Sequence, residues 1–445
     1  MRVLFQIRPN HESQKGGDTI HAVRTAEELR ALGVEADVSG SLAPDLSGFD
    51  LVHLFNTELI EPTFRHTLRA RAAGVPIVLT PIYWRPPLED LRYAEIDRAN
   101  LRRRNEAMRA IAFGLADALL PSSQAEAERI AEQFTTPEQV EAVPVGVDTD
   151  YAAGDSKRFC RRHRLPERGF VLCAARTEER KNQLRLIEAC APLGIPLVLA
   201  GAEYEDRQGY ADACRALAER AGADVRFLGD LGSADTSDAL AAARVHALPS
   251  LWETVGLASL EAAMAGCNVV STDRCGVREY LGELAWYCDP ESVESIRQAV
   301  AAAWETPLDE RLREHVSTFT WRRAAERTLV EYEAVLRRRE APEVDWRETL
   351  SPEQYVEHLE SLVQLQLETI ALRDGHYAGL RNHAEHLAEH AQRLEEELGK
   401  SRETHYAFVR EQSGRAVEHA HRLRERLTGL RSELGRRAAA RLGRR

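Results

Sequence analysis

Long apolar runs are missing from this sequence. None approaches the roughly 18 residues that span a bilayer, so any membrane contact is expected to be peripheral. The apolar start, Met1 to Ile7, is too short for a signal h-region and runs into polar residues. The seven cysteines are odd in number and form no C-x-x-C pair, which fits a reduced, cytoplasmic protein rather than a disulfide framework. Aromatics are scarce at 6%, and basic residues do not outnumber acidic ones. The net charge of −12 excludes a general nucleic-acid binder, which needs a basic surface to meet phosphates. Two nucleotide-binding signatures are also absent: neither G-x-G-x-x-G nor G-x-x-x-x-G-K occurs.

What is present is an ordinary globular composition. The 445 residues, 44% of them hydrophobic, suggest two or three domains. Charge is uneven: residues 1–340 carry −11, residues 341–400 carry −8 and residues 401–445 carry +7. In residues 1–150, short β-like runs alternate with helix-like stretches. Val3–Ile7, Leu51–Phe55, Pro76–Thr80, Ala118–Pro121 and Val140–Val145 read as strands, and Thr19–Leu32 reads as a helix closed by Gly33. After a polar linker near 151–166 the rhythm restarts, with strands at 170–175, 196–201, 225–228, 245–249 and 268–272 and helices at 184–190, 210–221, 236–243 and 257–265. Such alternation predicts an α/β fold of two doubly wound, Rossmann-like domains.

Three segments could carry chemistry. Lys15-Gly16-Gly17-Asp18-Thr19 joins the first strand to a helix; two glycines and a helix N-terminus make an anion site or a flexible turn. Arg176-Thr177-Glu178-Glu179-Arg180-Lys181-Asn182 follows the first strand of the second domain. Ligands of open α/β sheets sit beyond strand carboxyl ends, which places Arg176 and Lys181 to meet an anion. Pro249 to Gly266 opens at a strand end and runs into a helix. It carries Glu253 and Glu261, two acceptors for sugar and ribose hydroxyls, and the backbone amides of Val255, Gly256 and Leu257 would face phosphates.

Together these segments resemble family 4 of the retaining GT-B glycosyltransferases, over residues 1 to about 340. The resemblance includes Gly16-Gly17, His53, Ser122-Ser123, Pro144-Val145-Gly146-Val147-Asp148, Arg176 and Lys181, Phe227-Leu228-Gly229, Glu253 and Glu261, Gly276-Val277-Arg278-Glu279 and Phe319-Thr320-Trp321. It implies two Rossmann-like domains facing across a cleft: an acceptor-side domain at 1–150, a nucleotide-sugar domain at 165–318, and a crossover helix at 319–340 that returns to the first domain. It further implies that Gly16 and Gly17 touch the donor phosphate and that Arg176 and Lys181 neutralise the leaving diphosphate. Glu253 would hold donor-sugar hydroxyls and Glu261 the ribose. His53 is either a substrate contact or a buried strand histidine. No metal or other cofactor is expected; Asp148-Thr149-Asp150 spells D-x-D but falls in the family's G-V-D loop. Relatives often carry a histidine where this chain has Pro81-Ile82-Tyr83-Trp84-Arg85, and Tyr83 and Trp84 either stack on an acceptor or pack internally. The expected activity is sugar transfer from a nucleotide-sugar to a glycan, lipid-linked or protein acceptor. A nucleotide-sugar epimerase of the same fold and an inactive scaffold are the alternatives.

Residues 345–445 read as a long helical tail. Leu380, Leu387 and Leu394 recur at seven, as do Ala416, Leu423 and Leu430, a heptad seam expected to drive homo-oligomerisation. His376, His383, His386 and His390 share a helix face there, read as polar coiled-coil positions rather than metal ligands. The Arg-rich end is either a solvated face or a contact for anionic lipid at the membrane surface.

Overall fold

The computed structural model describes residues 1–12, 16–84, 96–134, 136–203, 208–274 and 276–340; the tail's heptads and histidines lie outside them. Residues 1–90 and 107–342 belong to one compact unit built on two parallel sheets.

The first sheet contains β1 (Arg2–Gln6), β2 (Glu35–Ser39), β3 (Leu51–Phe55), β4 (Ile77–Thr80) and β5 (Ala118–Leu119), in the order β2-β1-β3-β4-β5. Its helices are α1 (Gly17–Ala31), α2 (Ile60–Ala72), α3 (Ile96–Leu115) and α4 (Gln124–Gln133). The second sheet contains β6 (Val171–Ala174), β7 (Leu197–Ala200), β8 (Val225–Gly229), β9 (Val245–Leu248), β10 (Asn268–Thr272) and β11 (Trp286–Cys288), in the order β11-β10-β9-β6-β7-β8. With it go α5 (Ser156–His163), α6 (Gln183–Cys190), α7 (Gln208–Arg220), α8 (Ser233–Ala242), α9 (Leu257–Met264), α10 (Val277–Leu281), α11 (Val293–Glu305) and α12 (Arg311–Val316), whereas α13 (Trp321–Glu340), which follows them in the chain, returns to pack on α1 of the first lobe. The expected pair of doubly wound Rossmann-like domains is therefore present.

The central strands are apolar because both faces are covered: all five residues of β3 and of β10 are buried. Chain order reverses between β1 and β3 in the first sheet and between β6 and β9 in the second. Diverging connections at these switch points leave a crevice beyond the strand carboxyl ends, where ligands of open α/β sheets bind. The Gly16-Gly17 turn lies at the first reversal; the Arg176 and Glu253 segments lie at the second.

Some local expectations are corrected. Residues 151–166 are not a linker. Asp155 caps α5 by accepting from Arg158 N at 2.9 Å, Phe159 is buried, and Asp238 of α8 accepts from Asp155 N at 2.7 Å and pairs with Arg158, so the polar segment is fastened to the second lobe. Val140–Val145 forms a single bridge, Leu119 to Val140, rather than a strand; Val143 N still donates to Pro121 O at 2.8 Å, but Pro121 has no N–H to return a bond and extend the ladder. The edge strands β2 and β11 went unpredicted because edges are short or polar, here Glu-Ala-Asp-Val-Ser and three residues respectively. No helix among the described residues is long and apolar enough to cross a membrane.

Candidate active site

The segments after β6 and β9 are laced together. Leu251 N donates to Arg180 O at 2.8 Å, and Asn182, held at φ 64°, donates its side-chain amide to Pro249 O and Pro290 O at 3.0 and 2.7 Å. Asparagine tolerates this left-handed conformation, which closes the short Glu179–Lys181 helical turn and starts α6. The turn presents Arg180 and Lys181 to Glu253. One carboxylate oxygen, Oε1, accepts from Lys181 Nζ at 2.5 Å and from Arg180 Nη1 at 3.1 Å. Arg180 also donates to Glu178 at 3.0 Å and to Trp252 O at 2.9 Å. Arg176 lies further out, its side chain 39% exposed against 12% for Lys181, and reaches Glu178 at 3.6 Å.

The cations decide the ionisation of Glu253. Burial alone would raise its carboxyl, but Lys181 and Arg180 overcome that and hold it down at about 2. Burial, reinforced by Arg180, pulls the Lys181 ammonium below its ordinary value against the opposing pull of Glu253. Lys181 has three N–H donors, so binding Glu253 does not exhaust it.

Two helix N-termini complete the crevice. Gly16 precedes α1 in extended conformation, and Gly256 precedes α9 at φ 72°, a left-handed value that favours glycine. A Cβ on Gly17 would stand 3.4 Å from Leu257 Cδ1, so the first residues of α1 and α9 face each other across the lobes. First-turn N–H groups lack partners within their helix and attract negative charge. Val255 is buried just before this turn. One turn inside α9, the Glu261 carboxyl is pushed up to about 7, by burial first and then by Asp148, while the Tyr151 hydroxyl that donates to it works the other way. Arg24 of α1 pairs with Asp148 at 2.6 Å. Under the glycine turn, Asp18 is held by Arg8 at 2.7 Å and by Asn56 Nδ2 at 2.9 Å.

His53 stands apart from this group. It is 1% exposed on β3, with Nδ1 on the Tyr332 hydroxyl at 2.5 Å and Nε2 on Thr80 Oγ1 at 2.8 Å, so both ring nitrogens are occupied inside the first lobe. Of the two readings of this residue, the geometry is that of a buried strand histidine and leaves no nitrogen for a substrate. Tyr83 is likewise buried, packed edge-on against Phe113 and Phe134. Trp84 is partly exposed and lies under the Arg180 guanidinium, 5.2 Å from ring centroid to Cζ. Arg180, Asn182 and the Arg8–Asp18 pair were not singled out from the sequence. For Arg180 the available signal was its place beside Lys181, directly after the paired carboxylates Glu178 and Glu179.

A family model described as Glycosyl transferases group 1 matches residues 156–318. An MMP alpha-(1->4)-mannosyltransferase of Mycolicibacterium hassiacum is 24% identical over 266 residues, covering 58% of this chain and 61% of that protein. A GDP-mannose-dependent alpha-(1-6)-phosphatidylinositol monomannoside mannosyltransferase of Mycobacterium tuberculosis is 31% identical over 192 residues, 39% of this chain and 49% of that one. The chain thus spans about half to three-fifths of these relatives' lengths. Among solved structures, the sucrose-phosphate synthase from Thermosynechococcus elongatus aligns with a TM-score of 0.62 at 16% identity, over 75% of this chain and 99% of that one. Residues 156–318 thus match the glycosyl transferases group 1 model, and the two-lobed fold around them is the one seen in the sucrose-phosphate synthase.

Proposed function

We propose that the protein transfers a sugar from a nucleotide-sugar to an acceptor hydroxyl, with retention at the anomeric carbon and without a metal. The observation that carries this reading is the convergence of Arg176, Lys181 and Glu253 at a sheet reversal, beside the facing N-termini of α1 and α9. When the bond from the sugar to the diphosphate breaks, negative charge grows on the departing phosphate. Preorganised cations and helix N-termini stabilise that charge at no reorganisation cost. In this reading Lys181 bridges the diphosphate and Glu253, Arg176 meets the diphosphate from the rim, Glu253 accepts from donor-sugar hydroxyls, and Glu261 accepts from the ribose. The names of the mannosyltransferase relatives, one of them GDP-mannose-dependent, support a nucleotide-diphosphate hexose as donor. A glycan or lipid-linked acceptor agrees with the same names, and retention rests on the resemblance in sequence.

The test is release of nucleoside diphosphate from a panel of UDP- and GDP-sugars by the purified chain, with and without EDTA. Release from at least one donor, unchanged by EDTA, is expected. No release, with no thermal shift from either UDP or GDP, overturns the assignment; release that requires Mg²⁺ or Mn²⁺ overturns its metal-free form.

A further inference from the structure

Two arginine–indole pairs cross between the lobes, in opposite senses. Arg180 of the second lobe lies over Trp84, which follows β4 of the first lobe, at 5.2 Å. Arg129 of α4 in the first lobe lies over Trp252, which follows β9 of the second, at 5.4 Å. Each lobe thus contributes one cation and one indole. Both pairs end on the same short segment: Trp252 is the residue before Glu253, and Arg180 binds both Trp252 O and the Glu253 carboxylate. Arg274 covers Trp252 as well, at 5.1 Å, and is anchored by Asp289 and Glu291 in its own lobe.

We propose that this double clasp makes Arg180 a positioning residue, which orients Glu253 through the seating of Trp84, and makes Arg129 its counterpart on Trp252. The physical argument concerns the oxygen that Arg180 shares with Lys181. Glu253 Oε1 receives two cations, and the carboxylate keeps a single orientation only while both stay in place. Lys181 is held within its own lobe. Arg180 is long and flexible, and one of its anchors, the Trp84 ring, belongs to the other lobe. Withdrawing that ring leaves the guanidinium free to swing about its standing Nη2 bond to Glu178, at 3.0 Å, and so weakens the Nη1 bond to Glu253. The donor-side carboxylate is then set for chemistry only while Trp84 of the first lobe seats Arg180, which couples donor cleavage to the contact between the lobes. The inference deepens the transfer reading and rests on it for its consequence, though not for its geometry.

A readout that needs no ligand tests the coupling. The Leu251 amide donates to Arg180 O at 2.8 Å, so its hydrogen exchange in the full-length chain reports whether the two second-lobe segments stay paired. Trp84→Ala and, separately, Arg129→Met are expected to speed exchange across 250–255 by about fivefold or more, the scale of one lost arginine–indole contact. Exchange in the β6 and β7 core should not change, and Trp84→Phe should restore most of the protection. No change at 250–255 in either variant, or acceleration spread evenly over the second lobe, overturns the clasp. In turnover, Trp84→Ala is expected to lower transfer and donor hydrolysis together while the affinity for UDP or GDP stays the same; an equal loss of all three marks a merely structural role. Wild-type binding of UDP or GDP tests the function separately, so a wrong clasp and a wrong function give different results.

Discussion

Glu279 of α10 accepts from the backbone N–H of Gln124, at 2.8 Å, and of Ala125 alongside it, at 2.7 Å. A carboxylate from the second lobe therefore caps the first turn of α4 in the first lobe. Ser123 completes the cap from within, its Oγ accepting from Glu126 N at 3.1 Å. Nearby, the Tyr280 hydroxyl donates to Ser122 O and accepts from Val145 N at 2.9 Å. Glu279→Ala removes two charge-assisted bonds and a favourable charge at a helix N-terminus, and is expected to cost about 1–2 kcal/mol. Glu279→Gln keeps an acceptor and should recover part of that. Urea unfolding measures the cost, and faster exchange at Gln124 and Ala125 locates it. An alanine variant as stable as wild type would show that the lobes meet without help from this cap.

Arg176 and Lys181 separate turnover from stability. The Arg176 contact at 3.6 Å is half-exposed, so Arg176→Ala should cost less than about 1 kcal/mol of stability. Lys181→Met leaves the buried Glu253 carboxylate with Arg180 as its remaining cation, and should cost about 1–3 kcal/mol. Both should lower turnover by about 10²–10³, as losing one preorganised donor does. Unfolding midpoints and nucleoside diphosphate release, measured on the same preparations, check both halves. Near-normal turnover in both variants removes them from the site.

The difference between these two cations was not legible in the sequence, which showed both at a strand end. The Lys181–Glu253 bond joins residues 72 apart, and pattern reading along the chain cannot register such a pairing. Distance also explains His53. Its apolar strand was plain, but its partner Tyr332 is 279 residues away, so the choice between substrate contact and buried residue needed the fold. What could be read was whatever local periodicity dictates: the buried central strands, the helices between them, and the glycines at 16–17 and 256. Arg180 was passed over because a side chain's direction inside a one-turn helix depends on the αL residue that ends it, Asn182.

Glu253 and Glu261 should give opposite pH dependences. Glu253 lies at about 2, below its unfolded value near 4.5. The stability it contributes is present above 4.5 and is lost as pH falls toward 2. Glu261 lies at about 7, above the same unfolded value. Its contribution is complete below 4.5 and is lost as pH rises through 7, by on the order of 1–3 kcal/mol. Glu261→Gln should therefore gain stability relative to wild type between pH 5 and pH 8, and Glu253→Gln should lose ground between pH 3 and pH 6. Urea midpoints of each variant against wild type at these pH values isolate the terms. A Glu261→Gln difference that is flat from pH 5 to 8 would refute the raised carboxyl.

The last prediction concerns where the folded unit ends. Helix α13 packs its Ala324, Ala325, Tyr332 and Val335 into the first-lobe core beside Val3, Phe5 and Phe55. Tyr332 is fully buried and bonded to His53 at 2.5 Å. Removing one such aromatic side chain from a core costs about 3–5 kcal/mol, a large part of the roughly 5–15 kcal/mol that holds a domain together. A chain stopped at Thr318 loses all four residues and leaves the His53 ring with one partner, Thr80, in an apolar cavity. It should not fold its first lobe. A chain stopped at Pro342 keeps α13 and should melt within a few degrees of the full-length protein, still shifted upward by UDP or GDP through mass action. The two lengths also test the self-association that we propose for the heptads at Leu380, Leu387 and Leu394 and at Ala416, Leu423 and Leu430. Light scattering should give an oligomer for the full chain and a monomer for the chain ending at Pro342. A monomeric full-length protein refutes the heptad assignment, and a Pro342 chain that unfolds shows that residues beyond it are needed by the core.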